Sequence, residues 1–258
     1  MNSLLRIWTI ARNTIREAVR NRVLYALLFF AIIVIGAGVL LSALSYVESE
    51  RILQDFGFAA IRLFSVAIAI FVGVTLIHRE VERRTVYTIL SKPLSRAEFL
   101  LGKYVGLVAT IWMQAAIMVA AFVLVSLATG APLNAGHAVA FVLTAVELAV
   151  VVAVATFFSA FTTPMLASFF SVGIWTVGHL TRDLRDIGAS SDSGSIQGAT
   201  AIFHRVMPDL ESFNFSVEAA HGLAFGASDV WLPLVYGAGY VAILLVSAVA
   251  IFERRDFR

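Results

Sequence analysis

Long apolar runs separated by short polar segments dominate the chain. Crossing a bilayer takes a helix of about 20 apolar residues. The six candidate runs are Val23–Ser45, Phe58–Ile77, Tyr104–Ala128, Ala138–Phe161, Met165–Leu180 and Val230–Phe252. They show no apolar–polar alternation, so helices are favoured over strands for spanning lipid. The pattern therefore predicts an all-α integral membrane protein with six transmembrane helices in one domain over 1–258.

The first 22 residues have a different, amphipathic pattern. At 100° per residue, one face carries apolar side chains and a ridge of arginines runs beside it. The apolar face consists of Leu4, Trp8, Ala11, Ile15 and Ala18, and the ridge of Arg12, Arg16 and Arg20. This arrangement suits a helix that lies in the cytoplasmic interface near lipid phosphates. The alternative is a helix that continues directly into the first span.

Local signals mark several helix boundaries. Thr163 followed by Pro164 is an N-cap followed by proline at the first helical position, and Asp229 is a candidate N-cap for the last span. The turn at Phe161–Pro164 is short, so the fourth and fifth spans are predicted to form a helical hairpin. The loop at 181–228 is rich in Ser and Gly over Gly188–Gly198. Two of its segments, Ala199–Val206 and Val217–Phe225, are apolar enough for short helices at the membrane.

Composition agrees with a membrane location. Hydrophobic residues make up 60% of the 258 residues and charged residues only 14%, whereas soluble domains carry about 25% charged residues. The net charge of +2 gives no reason to expect a nucleic-acid partner. Cysteine is absent from the sequence, which excludes disulfides, a thiol nucleophile and a cysteine-based metal site.

The distribution of basic residues predicts the orientation. Loops on the side of both termini, together with the central loop, hold fourteen of the 19 Lys and Arg residues. Cytoplasmic loops carry the excess of Lys and Arg. Both termini and the central loop are therefore predicted to be cytoplasmic, and the loop at 181–228 extracytoplasmic.

The charged segment His78–Lys103 interrupts the apolar pattern between the second and third spans. Val86, Ile89 and Leu90 share one helical face, and Ser91-Lys92-Pro93 ends that helix because proline lacks an N–H. Ser95-Arg96-Ala97-Glu98 then has the pattern of a capping box before the next span. A helix, a turn and a restart on the cytoplasmic face suit a docking surface for a soluble partner. The alternative is an ordinary basic loop that anchors topology.

Two motifs carry a family resemblance. The run ERRTVYTILSKPLSRAEFLLGK, at 82–103, resembles the signature of ABC-2 type transporter permeases. Its matching positions are Glu82, Thr85, Leu90, Ser91, Pro93, Ser95, Arg96, Glu98, Phe99, Leu100, Gly102 and Lys103. The second motif resembles an element that precedes the last span in the branch with copper-site maturation (nitrous-oxide reductase) permeases, and it contains Pro208, Asp209, Leu210, Glu211, Phe213 and Asn214. One departure is Arg84, where many members have glycine.

The resemblance implies a role and partners. It implies the transmembrane subunit of an ATP-binding-cassette exporter in the bacterial cytoplasmic (inner) membrane, paired with a second permease copy and with two copies of an ATPase subunit. A periplasmic or membrane accessory protein is a further possible partner, besides the lipid bilayer. The segment 1–22 corresponds to the elbow helix and 78–103 to the coupling helix and turn. The ATPase-coupling candidates are then Glu80, Glu82, Arg83, Thr85, Val86, Tyr87, Ile89, Leu90, Ser91, Pro93, Ser95 and Arg96.

The chain carries no motif for ATP hydrolysis. Its one Gly-Lys pair, Gly102–Lys103, is followed by Tyr104, and Ala97 stands where a phosphate-binding loop needs its first glycine. ATP and Mg²⁺ are therefore expected on the partner ATPase, with no cofactor in this chain. The five histidines match no metal-ligand spacing, and no hydrolase motif is present. No metal site and no catalytic residue is predicted.

Three polar residues lie inside predicted spans. Arg62, Gln114 and Glu147 are unusual there, since a charge at a helix centre costs about 2.5–3.5 kcal/mol on insertion scales. Glu147 is near the middle of its span, where it must be protonated, paired or exposed to water. One hypothesis places these residues on the translocation path or dimer interface, with Glu147 paired to Arg62 or bonded to Gln114. The other is a buried helix–helix contact without a transport role.

Two further functions stay open at this point. A secondary carrier or channel would use Arg62 and Glu147 as its coupling pair and would need no ATPase. A non-transporting scaffold would transmit ATPase strokes to an envelope partner, for which the acidic outer loop would serve. Neither the substrate nor the choice between homodimer and heterodimer follows from the sequence.

Overall fold

The computed structural model describes residues 3–44, 49–82, 95–181, 183–184, 197–198, 200 and 207–254, with the side chains of 79–82 excepted. Regular structure in this part of the chain is helical, which confirms the predicted all-α class. The helices are α1 Ser3–Val19, α2 Arg22–Ser42, α3 Ser49–Glu82, α4 Arg96–Thr129, α5 Ala135–Ser159, α6 Pro164–His179, α7 Ser216–His221 and α8 Ala227–Arg254, with a 3₁₀ turn at Glu211–Phe213.

Five helices within the described residues are long and apolar enough to cross a membrane: α2, α3, α4, α5 and α8. Each overlaps one of the predicted apolar runs: α3, α4 and α8 contain theirs whole, whereas α2 ends at Ser42 and α5 at Ser159, before the predicted ends at Ser45 and Phe161. The sixth run coincides with α6, whose 16 residues rise only about 24 Å. That is shorter than a hydrocarbon core of about 30 Å, so a sixth span stays a prediction.

The N-terminal segment is a helix of its own. α1 ends at Val19, and the Asn21 side chain caps α2 by accepting from the Val23 N–H at 3.0 Å. The alternative of one helix continuing into the first span is therefore wrong. The predicted apolar face is also divided: Ala11 and Ala18 are buried, whereas Leu4 and Trp8 are 78% and 61% exposed.

α5 is the centre of the bundle. It contacts α3, α4, α6 and α8, and every residue from 148 to 156 is buried. Polar side chains of α4 tie the two helices together: Trp112 Nε1 donates to the Ala145 carbonyl at 2.7 Å and the Tyr104 hydroxyl to the Ala149 carbonyl at 3.2 Å. A helix that is apolar on all sides is expected in such a central position.

Helix ends next to the central loop and at the turn between α5 and α6 differ in part from the prediction. α3 continues through His78 to Glu82, beyond the predicted end at Ile77. His78 is buried because its ring nitrogens find backbone partners, with Nε2 2.7 Å from the Thr162 carbonyl oxygen. The predicted hairpin between the fourth and fifth spans is present, with α5 ending at Ser159 and α6 starting at Pro164. Thr163 occupies the N-cap position, although its side chain makes no capping bond.

Two outer boundaries were predicted wrongly. α8 starts at Ala227, so Asp229 lies inside its first turn, where Oδ2 accepts from the Gly226 N–H at 2.8 Å. The helix expected over Val217–Phe225 is shorter, at Ser216–His221, because Gly222 takes the left-handed conformation (φ 61°) and ends it. The segments Gly188–Gly198 and Ala199–Val206 lie largely outside the described residues.

Candidate functional site

The predicted coupling segment is only partly within the described residues. Arg83, Thr85, Val86, Tyr87, Ile89, Leu90, Ser91 and Pro93 lie outside them. Glu80 and Glu82 lie in the last turns of α3, without described side chains, and Ser95 and Arg96 begin α4. The geometry of the site is therefore that of the two helix ends that flank 83–94.

The start of α4 is fixed by the predicted capping box, which the structure confirms. Ser95 Oγ accepts from the Glu98 N–H, and Glu98 Oε2 accepts from the Ser95 N–H, both at 3.1 Å. Glu98 also accepts from Ser3 Oγ at 2.6 Å and lies 3.4 Å from Arg6 Nη1. These residues precede the apolar run that begins at Tyr104. The Ser3 hydroxyl, the Ser95 N–H and the Arg6 charge together hold the pKa of Glu98 below its usual value.

Arg96 connects the start of α4 to the end of α8. Its Nη1 donates to the backbone carbonyl oxygens of Phe252 at 3.1 Å and Glu253 at 3.0 Å. The last carbonyls of a helix have no partner inside the helix, and a guanidinium is well suited to satisfy them. This predicted coupling residue thus has a partner within its own chain.

Two glycines bring α1 against α4. A Cβ on Gly102 would lie 2.7 Å from Ile10 Cβ, and one on Gly106 would lie 2.7 Å from the Ala11 carbonyl oxygen. Gly102 and Gly106 stand four residues apart, which places both on one face of α4 and allows close helix approach in membranes. The two helices are therefore in contact at backbone level.

A buried charge pair joins the same two helices. Lys103 is 1% exposed at its side chain, and its Nζ lies 3.3 Å from Glu17 Oε2. An unpaired lysine in this position would have a large desolvation cost. Lys103, matched in the sequence as part of a family signature, therefore has a structural partner on α1.

Both ends of the segment 83–94 are thus attached to the bundle. α3 is attached through His78 to the turn between α5 and α6, and α4 is attached to α1 and to α8. A displacement of the segment would be passed directly to these helices.

A second group of polar residues lies within the bundle around Glu147. Its carboxylate is fully buried, with Oε2 2.8 Å from Arg62 Nε. Oε1 accepts from Trp175 Nε1 at 3.0 Å and lies 3.3 Å from His179 Nε2. Of the predicted intramembrane residues, Arg62 and Glu147 therefore pair, and both oxygens of the carboxylate have close donors.

Gln114 does not join this group. It is buried, its Nε2 lies 3.9 Å from Met118 Sδ, and its Oε1 has no partner among the described residues. The predicted alternative in which Glu147 is bonded to Gln114 is thus not what the geometry shows.

A cavity of about 410 Å³ opens beside Arg62. Its lining from α3 is one helical stripe, with neighbours from α5, α6 and the outer segment at 214–216. The α3 stripe comprises Asp55, Phe58, Ala59, Arg62 and Leu63, and the other helices contribute Ala140, Thr144, Trp175 and His179. Glu147 itself is not part of the lining.

The motif at 208–214 lies against the C-terminal end of α6 and against α8. The Leu210 N–H donates to the Gly178 carbonyl at 3.0 Å, and the Asp209 N–H donates to the Tyr236 hydroxyl at 2.9 Å. Phe213 is fully buried, and Asn214 borders the cavity. The Pro208 carbonyl packs close to Gly178: a Cβ added to Gly178 would lie 3.0 Å from the Pro208 carbonyl oxygen. This motif therefore joins α6 to α8 and contributes to one wall of the cavity.

Sequence reasoning missed Trp175 and His179. They stand four residues apart in α6, so they share a helix face. A tryptophan and a histidine on one face of an apolar run indicate that this face meets polar groups inside the bundle. It also missed the partners of Arg96, which are more than 150 residues away in sequence.

Comparison with known protein families gives a match over almost the whole chain. Residues 8–257 match the family described as ABC-2 family transporter protein. A search of curated proteins finds no match.

Proposed function

The chain belongs to the ABC-2 family of transporter proteins, and from this premise we propose that it is the membrane subunit of an ATP-driven exporter. Members of this family are non-catalytic transmembrane components that partner with an ATPase subunit. In our proposal two copies of the permease bind two copies of the ATPase, which carries the ATP and Mg²⁺. The complex lies in the bacterial cytoplasmic membrane with both termini in the cytoplasm.

The observation that carries this proposal is the attachment of both flanks of 83–94. Arg96, Glu98 and Lys103 hold the start of α4 to α8 and α1, and His78 holds the end of α3. An ATPase that pushes on this segment would thereby move four helices together instead of bending a loop. Rigid flanks are what a coupling element needs for transmitting motion.

The exposed face of α1 supports its assignment as the elbow helix. Leu4 and Trp8 face away from the protein, while Ala11 and Thr14 contact α4. An apolar face that points outward beside arginines suits the boundary between headgroups and acyl chains. The dimer, the export direction, the sixth span and the branch with copper-site maturation permeases are further parts of the proposal, supported by the sequence resemblance.

Co-purification tests the proposal first. The permease, tagged at its C-terminus and extracted in dodecyl maltoside, is expected to bring with it a protein that has a phosphate-binding loop and hydrolyses ATP. Reconstituted in nanodiscs, that complex is expected to hydrolyse ATP at a rate that differs from the rate of the isolated ATPase.

The alternatives give other results. A secondary carrier would show transport in liposomes of the permease alone. A scaffold that transmits ATPase strokes would show coupled hydrolysis without movement of any solute, and would retain an extracytoplasmic protein during purification.

A further inference from the structure

Arg62, Trp175 and His179 line the cavity, and each directs a nitrogen at the Glu147 carboxylate. Because Glu147 is fully buried and outside the lining, its oxygens are not available to a ligand in the cavity. Among the described lining residues, Asp55 is the one carboxylate. Arg62 is the lining residue with a permanent positive charge.

The guanidinium of Arg62 has N–H donors beyond the one that bonds to Glu147. Its Nε bonds to Glu147, whereas Nη2 is buried and has no hydrogen-bond partner among the described residues. A guanidinium offers donors in a planar fork that suits carboxylate and phosphate oxygens. The Arg62 side chain lines the cavity and is 17% exposed, so the guanidinium can donate to a ligand oxygen there.

The walls around this donor are apolar. Phe58, Ala59 and Leu63 come from α3, Ala140 from α5, and Phe215 from the outer segment. A volume of about 410 Å³ falls within the usual range of small-molecule pockets, about 300–1,000 Å³. It admits a small amphiphile or the head end of a larger one.

The mouth of the cavity carries a negative charge, opposite in sign to that of Arg62. Asp55 lies two turns of α3 before Arg62, toward the extracytoplasmic end, and is exposed. A carboxylate there lowers the local concentration of small free anions. Binding then requires additional favourable contacts, which an apolar body supplies against the walls.

We propose that this cavity binds an anionic oxygen group, of the phosphate class, carried on an apolar body, with the Arg62 guanidinium as its donor. As a substrate site, the assignment rests on the proposed transporter function. As a binding site, it is a property of the permease alone, and it is tested without an ATPase.

The probe is dodecyl phosphate, added to the full-length permease in dodecyl maltoside micelles, which contain no phosphate. Native mass spectrometry counts the probe molecules that each permease retains across a titration. The expected result is a saturable site that dodecyltrimethylammonium does not occupy. Inorganic phosphate at the same concentrations is expected not to displace the probe; displacement would mean that a free anion is the ligand and would overturn the amphiphile assignment.

Three variants test the location. Ala59→Phe adds a ring to the cavity wall while leaving Arg62 and Glu147 in the chain, and it is expected to weaken retention by about tenfold or more. Ala238→Phe adds the same ring at an exposed position of α8 outside the lining and is expected to bind like the wild type. Arg62→Lys keeps a positive charge for Glu147 but lacks the second nitrogen of the fork, so retention is expected to fall by about tenfold.

Wild-type retention in both Ala59→Phe and Arg62→Lys would overturn the proposal. Should Ala59→Phe fail to fold, Arg62→Lys decides alone, with a thermal unfolding curve to show that it is intact. Loss of retention in Ala238→Phe equal to that in Ala59→Phe would also contradict it, because binding would then not depend on this cavity.

Discussion

Arg96 donates a hydrogen bond from Nη1 to the backbone carbonyl oxygen of Phe252, at 3.1 Å. This contact joins the first turn of α4, directly after the segment 83–94, to the last turn of α8. In the same turn of α4, the Phe99 ring stacks on the Phe252 ring with centroids 6.2 Å apart. The start of α4 is therefore joined to the end of α8 by a polar contact and by an apolar one.

Arg96→Ala is expected to weaken coupling more than stability. A hydrogen bond to a charged group contributes about 1.5–3 kcal/mol, and Arg96 is partly exposed, so the loss should lie at the lower end. We expect a small decrease in the melting temperature in micelles and a several-fold decrease in permease-stimulated ATP hydrolysis. Arg96→Lys, which can reach one carbonyl, should give a rate of stimulated hydrolysis between those of the wild type and Arg96→Ala. Unchanged stimulation in Arg96→Ala would show that the Arg96 contact with α8 does not take part.

Gly106→Ala is expected to force α1 away from α4. A Cβ at this position meets backbone atoms, the Ala11 carbonyl oxygen at 2.7 Å and the Ala11 Cα at 3.0 Å, which cannot rotate aside. Overpacking of this kind costs about 1–3 kcal/mol. The measurement is thermal unfolding in dodecyl maltoside.

Gly239→Ala is the matched control for that change. Nothing lies within 4 Å of a Cβ there, and the position is also inside a long helix. Alanine is favoured over glycine in a helix by about 1 kcal/mol, so this variant should be neutral or slightly stabilised. If both variants behaved alike, close packing of α1 on α4 would not be what Gly106 provides.

Arg62→Gln is expected to destabilise the bundle strongly. It leaves the fully buried Glu147 carboxylate without its cation, and breaking a buried pair on one side costs about 3–5 kcal/mol. The double variant Arg62→Gln with Glu147→Gln removes both charges and should recover most of that loss. Unfolding curves of the two singles and the double give the coupling energy, and equal losses in Arg62→Gln and in the double variant would refute the pairing.

Much of the fold was accessible from hydropathy and capping rules. Apolar length predicted the five long helices, and the spacing of Ser95 and Glu98 predicted the capping box. Such features depend on residues close together in sequence, where a pattern has a defined geometric meaning. Asp229 failed as an N-cap because its carboxylate reaches back to Gly226 from inside the helix.

The remainder depends on contacts distant in sequence. Nothing in the pattern of α1 distinguishes the side that packs on Gly102 from the side that presents Trp8 outward, because both are apolar. The extension of α3 through His78 depends on a carbonyl at Thr162, and the partner of Lys103 lies on α1. Intramembrane charges predicted that a partner exists, and only the packing of α6 identifies Trp175 and His179 beside Arg62.

The central claim is that the segment after α3 receives the ATPase stroke. The most direct measurement is ATP hydrolysis by the purified complex in nanodiscs, comparing the wild type with the charge reversal Glu82→Arg together with Arg83→Glu. Arg12→Glu, which reverses an exposed charge on α1, is the control. We predict that the reversal lowers hydrolysis to the rate of the isolated ATPase while the permease stays inserted and the control stays normal. ATPase binding and stimulated hydrolysis at wild-type levels in the reversed variant would contradict the account.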